Sequence, residues 1–578
     1  MKYLTLALLL LNVYSLFGQK AEFQTKFEIS DKTVTVTYEE GIAFYQKLAD
    51  QIPQISITPM GMTDAGKPLH MVIYSANSEF DIDELKSQGK PVFLINNAIH
   101  PGEPDGVDAS MMLLRDIVTG KVLKKEKKDF VLVIIPFYNI GGTLNRNGTT
   151  RVNQNGPAAY GFRGNARNYD LNRDFIKGDT RNAAAFWEIF QKSDPDFFLD
   201  THVSNGADYQ YTMTLIATQE QKMSKPLQKM MGEVINPALY AHMEKVGDPM
   251  TPYVNVHGTT PDNGITEFAD WPRYSTGYAS LFNTYSFMSE THMLKPFDRR
   301  VESTYQLMVG MAKTLVTNKL KVLESRAKAK EMVKTKEDFT IKWSLDKDFS
   351  RELSFKGYEA SYVPSKLTSQ KRLYYDHKKP FEKSIKFKNR YKPAITVKKP
   401  KAYIVQQGWV NVVERLKRNG VQMQPLSADT TITVEVYRIK NYKTVQSPYE
   451  GHYYHYGTEL EKSDEMVRFH KGDFVVACDQ EVNRFIIETL EPLAEDSYFK
   501  WNMFDTVLGS KEGFSSYVFE ELAEEVLNNN PELMKAYRTN QQNDMDFAGN
   551  RYQQLKWIYE KSKYKEKEHL RYPIFRIN

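Results

Sequence analysis

Short apolar runs alternate with amphipathic stretches along residues 21–325. Each run is apolar at consecutive positions, which is typical of a strand buried on both faces. The strands predicted in this way are residues 91–97, 130–136, 197–200 and 284–289. Between the first two, apolar residues recur at helical spacing from Val107 to Val118, and Gly120 is placed to end that helix. The pattern predicts an α/β domain over residues 21–325, with a mostly parallel or mixed sheet and helices on both faces.

The pattern changes after a long helical stretch at residues 298–333, whose end is highly charged. We expect a β-rich basic segment over residues 335–400 and a mixed α/β and helical accessory domain over residues 401–578. Between Lys371 and Lys401, twelve basic residues face only two acidic ones. Lysines on the open face of a β-rich segment account for this run better than a nucleic-acid surface does. No nucleic-acid partner is therefore predicted.

Residues 1–18 have the pattern of a secretory signal peptide. Lys2 provides a positive start, an apolar stretch follows up to Asn12, and a cleavage site fits near residues 15–19. The apolar stretch is too short to span a bilayer, which takes about 20 residues, and no later segment is long and apolar enough. We expect an exported protein, periplasmic or extracellular, without a membrane span.

The composition narrows the class of protein further. A chain of 578 residues with 41% hydrophobic residues is typical of a globular protein with more than one domain. A net charge of +5 is too small to indicate nucleic acid or a membrane surface as a partner. Cys478 is the single cysteine, so an intramolecular disulfide is excluded and stability must come from the cores.

Three residues at predicted strand ends suggest a metal site. His100 and Glu103 lie in a Pro-Gly turn directly after the first buried strand, and His202 ends the Phe-Phe-Leu-Asp strand. A His-x-x-Glu pair alone is a weak signal. Two histidines with one carboxylate, however, leave a fourth position open for water, which is typical of a catalytic zinc site. A closed structural site would favour cysteines.

Two further segments supply groups suited to peptide chemistry. Arg173, within Asn-Tyr-Asp-Leu-Asn-Arg, lies between the two ligand segments, and arginine binds carboxylates in a bidentate manner. Glu290 follows Tyr-Ser-Phe-Met-Ser, which predicts a strand that delivers a glutamate to the same region. In open α/β sheets, ligands bind beyond the carboxyl ends of such strands.

Residues 40–320 resemble the zinc carboxypeptidase family, which includes the pancreatic carboxypeptidases. The resemblance lies in an ordered set of motifs: His-x-x-Glu, Asp-x-Asn-Arg, a strand-end histidine and a later glutamate. Four such motifs in order are a strong signal. The resemblance implies one zinc ion and a role for each matching residue. The implied zinc ligands are His100, Glu103 and His202; Asn172 and Arg173 hold the terminal carboxylate of the substrate; Asp170 is the partner of the first histidine; Glu290 is the general base.

Two roles of the family do not transfer to a single residue. An arginine that polarises the scissile carbonyl should precede Arg173 by about twenty residues; we choose Arg151, with Arg146, Arg163 and Arg167 as competitors. A substrate-contacting tyrosine should precede the general base by a similar distance. Tyr278 is our choice, and Tyr274 fits the spacing as well.

The resulting hypothesis is a secreted zinc carboxypeptidase that cleaves peptides or proteins with a free C-terminus. One alternative is a zinc amidase or peptidase acting on peptidoglycan stem peptides or N-acyl amino acids; another is an inactive carboxypeptidase-like binding protein. The Asn172–Arg173 pair argues against the first, and the complete set of ligands and base argues against the second. A second metal site at His452 and His455, or a nucleophilic Cys478, is a weaker alternative.

Overall fold

The computed structural model describes residues 23–256 and 258–578. The signal peptide predicted at residues 1–18 lies outside the described residues and stays a prediction. Within the described part of the chain, no helix is long and apolar enough to cross a membrane.

An eight-stranded mixed sheet forms the centre of the first region, in the order β1-β2-β4-β3-β5-β9-β6-β7. The strands of this region are β1 Ile55–Met62, β2 Pro68–Tyr74, β3 Val92–Asn96, β4 Val131–Ile135, β5 Phe197–Ser204, β6 Met213–Ala217, β7 Thr251–Pro252, β8 Ile265–Thr266 and β9 Tyr285–His292. The neighbours β4, β3, β5 and β9 are parallel, whereas β1, β2 and β6 pair antiparallel. The α/β class predicted from the apolar runs is confirmed.

Helices cover both faces of this sheet. They are α1 Lys26–Ile29, α2 Tyr38–Gln51, α3 Ile82–Ser87, α4 Asp105–Val118, α5 Ile140–Leu144, α6 Arg181–Ser193, α7 Lys225–Met230, α8 Asn236–Lys245, α9 Ser275–Ser280, α10 Phe297–Thr317 and α11 Lys319–Thr335. Alternate residues of β3 enter different cores: Phe93 and Ile95 pack on the side of α4 and α10, and Val92 and Leu94 on the side of α6. A strand buried on both faces needs this continuous apolar sequence.

The C-terminal half consists of three further sheets and a group of helices. Its strands are β10 Asp338–Leu345, β11 Arg351–Pro364, β12 Lys371–Lys388, β13 Tyr391–Lys398, β14 Ala402–Val405, β15 Gln424–Pro425, β16 Thr430–Thr444, β17 His455–Phe469, β18 Phe474–Ala477 and β19 Ile574–Ile577. Its helices are α12 Val410–Arg418, α13 Asn483–Leu490, α14 Ser516–Asn528, α15 Pro531–Asn543, α16 Met545–Ala548 and α17 Arg551–Glu560. The largest sheet has the order β15-β18-β14-β19-β16-β17.

The two halves share a core. The apolar cluster on the α6 side of the first sheet continues into residues of β14, α12 and α13, and the Phe282 and Phe485 rings lie 5.5 Å apart. In addition, β8 of the first half pairs in parallel with β12. The C-terminal half is therefore packed against the first half by buried apolar surface, in the same manner as elements within one domain.

Candidate active site

Three candidate ligands meet where β3 and β5 end. The turn between β3 and α4 carries His100 and Glu103, and β5 carries His202. One ligand atom from each lies within 4.8 Å of the others, and all three residues are buried. Within this group, Nδ1 of His202 is 3.2 Å from Oε2 of Glu103 and 3.2 Å from Nδ1 of His100. The sequence-predicted ligand set is thus brought together, because β3 and β5 are adjacent parallel strands.

The outer nitrogen of each histidine contacts a carboxylate. Nε2 of His100 lies 2.9 Å from Oδ1 of Asp170, and Nε2 of His202 lies 2.9 Å from Oδ2 of Asp200. Such contacts fix the orientation and tautomer of a metal-binding histidine and leave Nδ1 free to face the centre. Asp170 has the position expected for it. Asp200 was missed, although the Asp-Thr-His alternation of a strand places Asp200 and His202 on one face.

Glu103 is kept ionised by its neighbours. Burial alone would raise the pKa of its carboxyl, but Arg151, His100 and His202 hold that pKa well below its usual range. Oε1 accepts a hydrogen bond of 2.7 Å from Nη1 of Arg151, and Oε2 accepts one of 2.8 Å from the backbone N–H of Val203. A carboxylate fixed in this way is available as a ligand oxygen.

Glu290 faces the same cleft from the neighbouring strand β9. It is opposite His202 in the parallel pairing of β5 and β9, and its side chain is one of those lining the cleft. Burial raises the pKa of Glu290 to about 7, and the charge of Glu103 adds to this effect, whereas His202 and Arg151 oppose it. A carboxylate with this pKa is suited to exchange protons near neutral pH.

Of the four arginines considered from the sequence, two reach the cleft. Arg151 and Arg163 both line it, and Arg163 also donates to Oδ2 of Asp170 at 2.8 Å. Arg146 instead donates to backbone carbonyl oxygens, including that of Val36 at 2.9 Å. Arg167 stacks on the Tyr169 ring outside the cleft. The structure therefore leaves Arg151 and Arg163 as the two candidates near the ligands.

Asn172 and Arg173 line the cleft from a short 3-10 helix, Leu171–Arg173. The side chain of Asp170 caps this helix by accepting from the backbone N–H of Asn172 at 2.9 Å. The Arg173 guanidinium lies 4.7 Å from the centre of the Tyr274 ring and keeps part of its surface exposed to the cleft. The segment therefore presents a cation and an amide beside the ligand cluster.

The structure places Tyr278 away from the cleft, against our choice from the sequence. Tyr278 is fully buried among aromatic rings, and its hydroxyl donates to Oδ1 of Asn419 at 2.6 Å. Its ring packs on Phe190 and Phe282. A buried hydroxyl needs such a partner, which explains why the Tyr278 side chain points into the core. Of the two tyrosines considered from the sequence, Tyr274 is the one that lines the cleft.

The cleft has a cavity of about 180 Å³ beside the ligands. Besides the residues already described, its wall contains an apolar and aromatic part and a short segment at the end of β5: Ile216, Tyr253, Phe268, Tyr274 and Met288, and Val203, Ser204 and Asn205. A neighbouring cavity of about 390 Å³ shares His100, Arg151 and Arg163 with it and is bounded on another side by Glu450 of the C-terminal half. Two cavities thus adjoin the cluster of candidate ligands.

The weaker alternatives find no support in the geometry. Across the described ranges, His100, Glu103 and His202 form the one cluster of potential metal ligands of three or more members. His452 and His455 contact different carboxylates, those of Asp179 and Asp505. Cys478 is buried, and burial raises the pKa of its thiol to about 12, so the reactive thiolate is disfavoured.

The chain is similar to several known proteins. Carboxypeptidase 2 of Trichophyton rubrum is 20% identical over 500 residues, which cover 83% of this chain and 87% of that protein. Carboxypeptidase 2 of Trichophyton tonsurans is 19% identical over 456 residues, covering 76% and 78%. Among solved structures, a metallo-carboxypeptidase from Burkholderia cenocepacia has a TM-score of 0.38 and 16% identity, and covers 49% of this chain and 70% of that one.

The family assignment rests on a family model that matches more than half of the chain. The model of the zinc carboxypeptidase family (peptidase M14) matches residues 42–337, just over half of the chain. That range contains the three candidate ligands, the Asn172–Arg173 pair and Glu290. The chain therefore belongs to the zinc carboxypeptidase family.

Proposed function

We propose that the protein is a zinc carboxypeptidase that removes the C-terminal residue from peptides with a free carboxyl end. The observation that carries this proposal is the convergence, in one cleft, of the ligand cluster, the carboxylate of Glu290 and the Arg173 guanidinium. A metal-assisted hydrolase needs the first two. The third provides a counter-charge for a terminal carboxylate.

The ligand cluster fits zinc by its chemistry. Two imidazole nitrogens and a carboxylate oxygen form a donor set of catalytic zinc sites, and the outer nitrogens of both histidines are held by carboxylates. When bound, zinc supplies Lewis acidity and lowers the pKa of a coordinated water towards about 7. His100, Glu103 and His202 would hold the ion.

The other residues divide the remaining work of hydrolysis between them. The Glu290 carboxylate accepts a proton from the attacking water and later donates it to the leaving amine. Arg151 donates to the carbonyl oxygen as negative charge develops there, since its bonds to Glu103, Gln154 and Val203 leave N–H groups free on both terminal nitrogens. Arg173 and Asn172 bind the terminal carboxylate and thereby align the last peptide bond.

The direct test compares benzoylglycyl-phenylalanine with its C-terminal amide. We expect the wild-type protein to cleave the free acid and to cleave the amide far more slowly. Replacing Arg173 (Arg173→Gln) removes a charge-assisted bond to the carboxylate, worth about 2–3 kcal/mol, and should lower kcat/KM for the free acid roughly 30- to 160-fold. The amide should be affected little.

Arg181 provides the matched control, because it is exposed at the start of α6 and does not line the cleft. Arg181→Gln should leave both rates within about twofold of wild type, as is usual for exposed positions. If the wild-type protein cleaved the amide as fast as the acid, the carboxypeptidase proposal would be wrong, and an amidase or endopeptidase would be favoured.

The cavity wall further supports a preference for apolar C-terminal residues. Ile216 and Met288 are adjacent partners on β6 and β9, and Phe268 forms another part of the wall. Burial of an aromatic or aliphatic side chain there is worth about 25 cal/mol per Å². We expect kcat/KM for peptides ending in Phe or Leu to be at least about tenfold higher than for peptides ending in Lys or Asp.

Phe268→Ala tests this preference. The variant should lower kcat/KM for Phe-ended peptides several-fold more than for Ala-ended peptides, because only the larger side chain loses contact area. Fastest cleavage of Lys-ended peptides by the wild-type protein would contradict an apolar pocket.

A further inference from the structure

A tight turn of the C-terminal half reaches the loop that carries Asp170 and Arg173. It lies between β16 and β17, and the backbones of Tyr449 and His452 hydrogen bond to each other at 2.8 and 3.1 Å. The two central residues, Glu450 and Gly451, have φ angles of +49° and +79°. Positive φ at both positions is the geometry of a type I′ turn, in which Gly is favoured. We call residues 449–452 the docking turn.

The docking turn contacts the loop by its backbone and its side chains. Oε2 of Glu450 accepts a hydrogen bond of 2.9 Å from the backbone N–H of Asp170. The side chain of Tyr449 interacts electrostatically with Arg173 and helps to raise the pKa of its guanidinium. Asp170 in turn orients the candidate ligand His100. Glu450 is therefore connected to the ligand cluster through a single residue, Asp170.

Two more contacts extend this interface towards residue 180. Nε2 of His452 lies 2.6 Å from Oδ2 of Asp179. Gly451 approaches Tyr169 so closely that a Cβ at this position would lie 2.6 Å from the Tyr169 hydroxyl oxygen. Residues 450–452 thus each contact residues 169–180, Tyr449 interacts with Arg173, and a side chain at position 451 would force Tyr169 to move.

A second element of the C-terminal half holds the same loop from another side. Arg415 of α12 donates to the backbone carbonyl oxygens of Lys177 at 2.6 Å and Gly178 at 3.2 Å. Residues 169–180 contain little regular structure apart from the 3-10 helix Leu171–Arg173. Their position therefore depends on contacts made from outside, more than that of a strand or a long helix does.

We propose that the C-terminal half is a working part of the catalytic site: the docking turn positions residues 169–180, and with them the carboxylate-binding pair and the partner of His100. This rests on the proposed carboxypeptidase function. Tyr449 and Glu450 are positioning residues, because they act through Arg173 and Asp170. When a residue that binds the substrate is displaced by about 1 Å, even by a change far from the reacting atoms, the rate can fall about a hundredfold.

Gly451→Ala and Gly457→Ala form a matched pair for the test. Both glycines have positive φ, +79° and +60°, so alanine strains the backbone at both. At Gly457 the nearest atom to an added Cβ is 3.7 Å away, on Lys443, whereas at Gly451 the added Cβ collides with Tyr169. Because the backbone strain is shared, a difference in kinetics between the two variants reports displacement of the docking turn from residues 169–180.

We expect Gly451→Ala to lower kcat/KM for benzoylglycyl-phenylalanine at least about tenfold, mainly through KM, and Gly457→Ala to change it less than about twofold. In Gly451→Ala, cleavage of the amide should fall less than cleavage of the free acid, since the amide depends on the orientation of His100 by Asp170 but not on the carboxylate pair. The rates are measured on full-length samples at saturating zinc, so that weaker zinc binding through a displaced Asp170 does not contribute to the difference. Thermal midpoints of the same samples check that both variants are folded. Equal free-acid kinetics in both would overturn the positioning role.

Substitutions at Glu450 separate the hydrogen bond from its charge. Glu450→Gln retains an oxygen that accepts from the N–H of Asp170, and should keep most of the wild-type rate. Glu450→Ala removes that acceptor and should resemble Gly451→Ala. Loss of activity in Glu450→Gln equal to that in Glu450→Ala would contradict a positioning bond and would indicate that the charge of Glu450 acts directly.

Amide hydrogen exchange makes the test independent of activity. In Gly451→Ala, the amides of residues 169–180 should exchange at least about tenfold faster than in Gly457→Ala, because their outer contacts are weakened. Unchanged protection would refute the positioning proposal even if the protein were an active carboxypeptidase. A different outcome would separate the two proposals: faster exchange in Gly451→Ala, together with a wild-type protein that cleaves the substrate acid and its amide equally fast. That result would support the positioning role and refute only the proposed carboxypeptidase function.

Discussion

Replacing Glu290 with glutamine is expected to lower kcat by roughly a thousandfold, the middle of the range for loss of a positioned acid or base. Glutamine has nearly the same shape but cannot accept the proton of the attacking water. KM should change much less, because ground-state binding relies on Arg173 and the apolar wall. Steady-state kinetics with benzoylglycyl-phenylalanine measure both constants. Turnover close to that of the wild type would exclude Glu290 as the base.

Glu267→Gln is the control for the loss of a buried carboxyl as such. Burial raises the pKa of Glu267 to about 8, much as burial acts on Glu290, but Glu267 does not line the cleft. Its replacement should leave kcat within about twofold of wild type. Neither variant should be less stable, because burial disfavours the charged form that glutamine removes. Thermal midpoints measured at pH 7 test this point.

The ligand cluster was predictable from the sequence for a physical reason. His100 and His202 each follow a continuous apolar run, and such runs become neighbouring strands in the centre of a parallel sheet. Residues at the carboxyl ends of neighbouring strands then meet without any knowledge of the loops. Glu290 follows the same rule, since β9 pairs with β5.

Residues on helices and loops were harder to place. Tyr274 and Tyr278 are four positions apart, and spacing alone does not tell which of them faces the cleft. Tyr278 turns into a core that the accessory region helps to form, with Asn419 as the partner of its hydroxyl. That partner is 141 positions away, so a local pattern contains no trace of it.

The C-terminal half shows the same limit on a larger scale. The sequence predicts only a mixed α/β and helical accessory domain over residues 401–578, and this part of the chain contains the six-stranded sheet and the helices α14 to α17. The final strand β19 was missed, although it pairs with β14 in the centre of the large sheet. The bond between Glu450 and Asp170 joins positions 280 apart. Contacts of this kind follow from the assembled fold and leave no periodic signal in the sequence.

Removing one histidine ligand should abolish zinc binding and activity together. His202→Ala takes away one of the three donor atoms that face the centre, and we expect less than about a tenth of the zinc to remain after dialysis. Asp200→Asn keeps the donor but weakens the orientation of His202, and should lower zinc affinity roughly 10- to 100-fold. Elemental analysis and competition with a chelator measure these two effects.

His470→Ala is the control for loss of a histidine, because His470 is exposed and contacts Asp429. It should retain zinc at the wild-type level. We therefore expect zinc affinity to be highest in His470→Ala, lower in Asp200→Asn and lowest in His202→Ala. The values of kcat/KM should decrease in the same order if one ion serves the reaction. Full zinc retention in His202→Ala would mean that the metal is held elsewhere. Loss of zinc without loss of activity would mean that hydrolysis does not depend on it.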